Sequence, residues 1–81
     1  MNLFVGGLSP DVTSKDLGGL FQSFGKVLSS KIIWDRETGS SRGFGFVYMA
    51  EPAEARLAMD KLHRTEFMGK VINVFKAGDR D

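Results

Sequence analysis

The chain has no cysteine, only two prolines, and a single histidine and a single tryptophan among its 81 residues. Without cysteine there is no disulfide framework and no thiolate metal site. The lone histidine, His63, has no cluster of Cys, His or carboxylate around it in the sequence, which argues against a metal or catalytic role. No apolar run approaches the ~18 residues of a membrane-spanning helix. The stretch Met1 to Leu8 lacks a basic region ahead of its apolar residues and reads as a strand rather than a signal peptide. An excess of charge is missing as well. Eleven Lys and Arg against ten Asp and Glu leave a net charge of +1, so any functional charge must lie in the distribution and not in the sum.

What is present is a globular composition, 42% hydrophobic and 26% charged, at a length where one hydrophobic core is just sufficient for one domain. The most informative stretch is Arg42 to Met49, R-G-F-G-F-V-Y-M. In a strand, alternate side chains point to opposite faces. Arg42, Phe44, Phe46 and Tyr48 then share one face, and Gly43, Gly45, Val47 and Met49 the other. A core on the aromatic side would bury the charge of Arg42. A core on the other side uses Val47 and Met49, with two glycines that allow close approach, and leaves a row of aromatics facing outward. An exposed apolar patch of that kind marks a binding surface.

The flanking chain supports the second assignment. Leu3 to Gly6 alternates as a strand, with Asn2, Phe4 and Gly6 on one face. Gly7 to Val12 is loop-forming. Thr13 with Asp16 forms a capping-box pattern ahead of an apolar stripe, Leu17, Leu20, Phe21 and Phe24, and Gly25 is the expected terminator. Gly18 and Gly19 weaken that helix without an evident reason. Val27 to Trp34 reads as a second strand, with Leu28, Ser30 and Ile32 on one side and Ser29, Lys31 and Ile33 on the other. Asp35 to Ser41 is a polar hairpin loop. Pro52 opens a second helix with a stripe of Ala55, Ala58, Met59 and Leu62. Arg64 to Gly69 connects to a fourth strand, Val71 to Phe75, whose Ile72 and Val74 share one face.

The order strand, helix, strand, strand, helix, strand predicts an α+β fold of the split-βαβ, ferredoxin-like class. Such a fold is a four-stranded antiparallel sheet with two helices on one face. The opposite face is then open, and it carries Phe44 and Phe46. The domain is expected to span residues 1–78, with residues 79–81 frayed.

With this order and these motifs the chain resembles an RNA-recognition motif domain, of the glycine-rich or heterogeneous-nuclear-ribonucleoprotein-like type. The family octapeptide is K/R-G-F/Y-G/A-F-V-x-F/Y, and R-G-F-G-F-V-Y-M departs from it only at Met49, on the core side. The first-strand hexapeptide L-F-V-G-G-L keeps its aromatic, Phe4, and has Gly7 where Asn is common. The resemblance implies that the first and third strands are neighbours and that Phe4, Phe44 and Phe46 form one cluster. Phe4 and one octapeptide phenylalanine would stack on two bases of single-stranded RNA, the other would pack against sugars, and Arg42 would pair with a phosphate. It implies no cofactor, no membrane and a monomer. Single-stranded DNA remains an alternative ligand, and an intracellular setting is expected, nuclear, cytoplasmic or organellar.

Beyond that centre, Asn2, Lys31, Ile33 and Asn73 point to the open face, where donors could read base edges. Phe75 could widen the aromatic platform or pack under the C-terminal tail. Lys76 follows the fourth strand, where the family often holds a base, and Tyr48 is divided between edge packing and ligand contact. Trp34 has the parity of Ile32 and is expected as a hydrophobic anchor towards the helices. Lys31, Arg42, Lys70 and Lys76 fall on or beside the open sheet, while Asp11, Asp16, Glu51, Glu54 and Asp60 lie near the helices. A competing function is capture of a protein on the helix face. That offshoot of the family carries an Arg-x-Phe signature, whereas here Arg64 and Phe67 are separated by two residues. No nucleophile or acid–base constellation points to an enzyme.

Overall fold

The computed structural model describes residues 1–78; the expected fraying of residues 79–81 lies outside the described residues. The elements are β1 (Asn2–Gly6), α1 (Ser14–Gln22), β2 (Val27–Trp34), β3 (Ser41–Met49), α2 (Pro52–Leu62), β4 (Glu66–Phe67), β5 (Lys70–Val71) and β6 (Asn73–Lys76). Four strands form one antiparallel sheet in the order β2-β3-β1-β6, and β4 with β5 makes a separate hairpin. This is the expected ferredoxin-like arrangement, with β1 and β3 at the centre.

The core lies on one side of the sheet. Leu3 and Val5 of β1 and Val47 and Met49 of β3 are fully buried, packed with Leu17 and Phe21 of α1 and with Ala55, Ala58 and Leu62 of α2. Each large aliphatic side chain buried in this way contributes roughly 1.5–3 kcal/mol. Helix α1 starts as expected: the Asp16 N–H donates to Thr13 Oγ1 and the Thr13 N–H donates to Asp16 Oδ2, both at 3.1 Å. It ends earlier than Gly25, at Gln22, with Ser23 as its C-cap, yet Phe24 still packs on the core from outside the helix.

Two glycines set how closely α1 meets the sheet. A Cβ on Gly45 of β3 would overlap the Lys31 carbonyl oxygen and come within 3.2 Å of Leu17 Cδ2. A Cβ on Gly18 would lie 2.7 Å from Ser30 Oγ, whose hydroxyl donates to the Ser14 carbonyl at 2.9 Å. That close approach accounts for Gly18, which sequence patterning left unexplained. Gly19 faces open space beside a shallow groove shared with Lys15 and Gln22.

Strand parity fails at both ends of β2. Between Val27 and Ser29 the ladder to β3 shifts register. Val27 packs against the core instead of Leu28, which is 52% exposed. At the other end the pairing jumps from Ile32↔Gly45 to Trp34↔Ser41, so two steps along β2 span four along β3. Gly43, within that interval, has a φ of +83°, a conformation that side chains other than glycine rarely adopt. The irregular ladder leaves Trp34 51% exposed, and it does not anchor the core. The fourth sheet strand also starts later than expected. Val71 belongs to the β4–β5 hairpin, while Ile72 is buried and exchanges backbone bonds with Arg64 and Thr65 at 2.8 Å.

Met68 and Gly69 at the tip of that hairpin have φ of 52° and 90°. Positive φ at both central positions is the signature of a type I′ turn, which favours Asn-Gly. Met68→Asn is therefore expected to raise stability by about 0.5–1 kcal/mol. Gly45→Ala is expected to lower it by at least ~1–3 kcal/mol, because the obstacle is the backbone of the next strand and cannot yield. Chemical denaturation of each variant against the parent measures both effects.

Candidate nucleic-acid interface

The face opposite the helices carries the second row of side chains from the central strands. Phe4, Phe44, Phe46 and Tyr48 are half-buried, and none belongs to the core. Antiparallel pairing places Phe4 directly across from Phe46, and Gly6 across from Phe44. The missing side chain of Gly6 leaves room for the Phe4 ring, whose edge would lie 3.0 Å from a Cβ there. Phe4 thus leans along its own strand into the middle of the cluster. Its centroid is 5.5 Å from Phe44 at a tilt of 35°, and 5.8 Å from Phe46 in an edge-on arrangement of 68°.

The cluster continues onto the edge strand. Phe75 pairs with Phe4 in the ladder and lies nearly parallel to it, 24° between planes and 6.5 Å between centroids. Phe75 is 51% exposed; the alternative of packing under the C-terminal tail involves residues 79–81, outside the described residues. Beyond Phe75 stands His63, with ring centroids 5.0 Å apart and planes inclined at 61°. His63 is the C-cap of α2, and its Nδ1 accepts a 3.0 Å hydrogen bond from the Val74 N–H.

The polar candidates divide. Lys31 is exposed directly across from Phe46. Asn73 is half-buried, opposite Gly6, and shares the parity of Phe75; its amide nitrogen would be 3.6 Å from a Cβ on Gly7. Asn2 pairs with Tyr48 at the far end of β1, and its carbonyl accepts from the Ala77 N–H at 2.8 Å. Ile33 is half-buried in the irregular stretch of β2. Arg42 is exposed, but the positive φ of Gly43 interrupts the alternation, so parity with Phe44 no longer sets its face. Lys76 pairs with Leu3 and so takes the parity of the helix side, exposed at the strand end and apart from the rings. Lys70 sits in the β4–β5 hairpin, outside the main sheet.

Among the described residues no group of three or more His, Cys, Asp or Glu is placed to hold a metal, and no helix is long and apolar enough to cross a membrane. What the face offers is flat aromatic area ringed by a few donors. Such a surface suits planar, unpaired bases.

The chain belongs to the RNA recognition motif family, whose model matches residues 3–73. It is 43% identical over 81 residues to the putative RNA-binding protein RbpB of Nostoc sp., covering 100% of this chain and 79% of that protein. It is 43% identical over 75 residues to the glycine-rich RNA-binding protein RZ1C of Arabidopsis thaliana, covering 93% of this chain but only 24% of that relative. Among solved structures, that of RNA binding protein PG1 superposes with a TM-score of 0.95 at 47% identity, covering 100% of this chain and 98% of the other.

His63 is the residue of this face that sequence patterning missed. It lies beside Phe75 only because α2 ends against β6, and no spacing along the chain signals that contact. The bond it accepts covers a backbone N–H of a sheet-edge strand, a group that otherwise invites strand pairing. His63→Ala is expected to cost about 1 kcal/mol and to speed hydrogen exchange at the Val74 amide well beyond its neighbours, as NMR-detected exchange would record.

Proposed function

We propose that the open sheet face binds single-stranded RNA without catalysis, within a domain spanning residues 1–78. The observation that carries this is the half-exposed cluster of Phe4, Phe44 and Phe46 on a sheet face that neither helix covers. A core has no use for three phenylalanine rings left partly in water, whereas stacked bases complete their burial. Phe4 and one of the β3 phenylalanines each take a base, the other meets sugar, and Arg42 meets phosphate. Lys31 and Asn73 flank the rings with donors, the positions where base edges are read. Membership in the RNA recognition motif family, and relatives themselves named as RNA-binding proteins, support the same conclusion.

Two stacks and one charge contact give a modest affinity, since each stack contributes ~1–3 kcal/mol. A Phe44→Ala/Phe46→Ala double variant is expected to bind mixed-sequence single-stranded RNA at least about tenfold more weakly than wild type, with its fold retained. Fluorescence anisotropy titration measures the change, and circular dichroism checks the fold. Equal affinity in a folded double variant would exclude the sheet face. A parallel titration with single-stranded DNA of the same sequence measures how much the 2′-hydroxyls contribute.

A further inference from the structure

The aromatic cluster does not end at the central strands. Phe44, Phe4, Phe75 and His63 form one row across β3, β1, β6 and the end of α2, with successive centroids 5.5, 6.5 and 5.0 Å apart. Phe75 is the most solvent-exposed ring of the row, 51% accessible, so it has a face to offer. His63, next to it, has one ring nitrogen engaged with the backbone. An Nδ1 that accepts from the Val74 N–H carries no proton, so the neutral ring carries its hydrogen on Nε2. Nε2 has no partner among the described residues, and no unpartnered side-chain nitrogen or oxygen there is buried. A donor is therefore open to solvent beside an exposed ring that lies nearly parallel to Phe4.

We propose that His63 is an RNA-contacting residue, whose Nε2–H donates to an acceptor oxygen of the nucleotide stacked on Phe75. The inference rests on the reading of the sheet face as an RNA-binding surface and extends it to the edge strand. Its structural basis is a division of labour within one imidazole: Nδ1 holds β6 in place, and Nε2 addresses the ligand. The acceptor oxygen is a base carbonyl or a phosphate oxygen, two sources that one experiment separates.

The probes are a uridine pentanucleotide and five copies of it, each with one abasic position. Anisotropy titrations compare wild type with Phe75→Ala and His63→Asn. The position at which loss of the base weakens wild type but not Phe75→Ala marks the nucleotide on Phe75. Asn at position 63 can still offer its carbonyl oxygen to the Val74 N–H, while its amide N–H groups lie nearer the backbone and do not reach the Nε2 position. Protection of the Val74 amide in His63→Asn verifies that the edge bond persists, which a merely structural role would require and nothing more.

His63→Asn is expected to bind the full pentanucleotide about fivefold more weakly, the effect of one hydrogen bond. If the loss vanishes on the oligonucleotide that is abasic at the Phe75 position, the acceptor is the base carbonyl. If it persists there, the acceptor is phosphate. The proposal is overturned if His63→Asn, with Val74 still protected, binds the whole set as wild type does, or if no position answers to Phe75. Failure of the sheet-face reading would look different: wild type would not bind the pentanucleotide, or Phe44→Ala/Phe46→Ala would bind it unchanged.

Discussion

Packing of both helices against one face of the sheet is the constraint from which the rest of the structure follows. Leu3, Val5, Val47 and Met49 leave water completely on that face. Because strand side chains alternate, burying that set forces Phe4, Phe44, Phe46 and Tyr48 to the other side. The outward aromatics are therefore coupled to the core and cannot be turned inward without exposing it: a one-residue slip would exchange the two rows. The close approach of α1 at Gly45 and Gly18 sets the depth of that packing, and the Thr13–Asp16 capping box sets where the helix begins.

The open face gives up burial that a fold selected for stability alone would use, at about 25 cal/mol for each Å² of apolar surface left in water. Its geometry offsets part of this. Phe4 fills the space above Gly6 and lies against three other phenylalanines, so each ring is partly covered by a neighbour. A near-neutral chain is no obstacle to such a surface, since stacking needs little net charge and Lys31 stands directly across from Phe46.

The two edges of the sheet are managed differently. Strand β2 is broken by register shifts near both ends, which disturb the regular ladder a neighbouring chain could extend. Strand β6 instead receives His63, whose Nδ1 occupies the outward Val74 N–H. The same contact brings an imidazole against Phe75 and carries the row of rings to the molecule's rim.

Much of this was legible in the sequence. The element order, the capping box, the open sheet face and the pairing of Phe4 with the octapeptide followed from alternation, helical spacing and the resemblance of two short motifs to one family. Those are local or period-based signals, and each strand or helix carries its own. What failed was whatever depended on an interruption of the period. Leu28 and Trp34 were assigned inward because parity was counted through two irregularities in the ladder, and the Arg42 side chain lost its link to Phe44 at the positive φ of Gly43. Gly18 looked like a defect until Ser30 was seen across from it. The hairpin of β4 and β5 passed for a connection because two-residue strands have no period to detect. His63 is the sharpest case. The sequence by itself determined which faces are buried and which aromatics face outward, since those follow from repeats within single elements. Only the tertiary structure decided where the platform ends, because a contact between the end of α2 and the edge of β6 joins residues that share no element and no period.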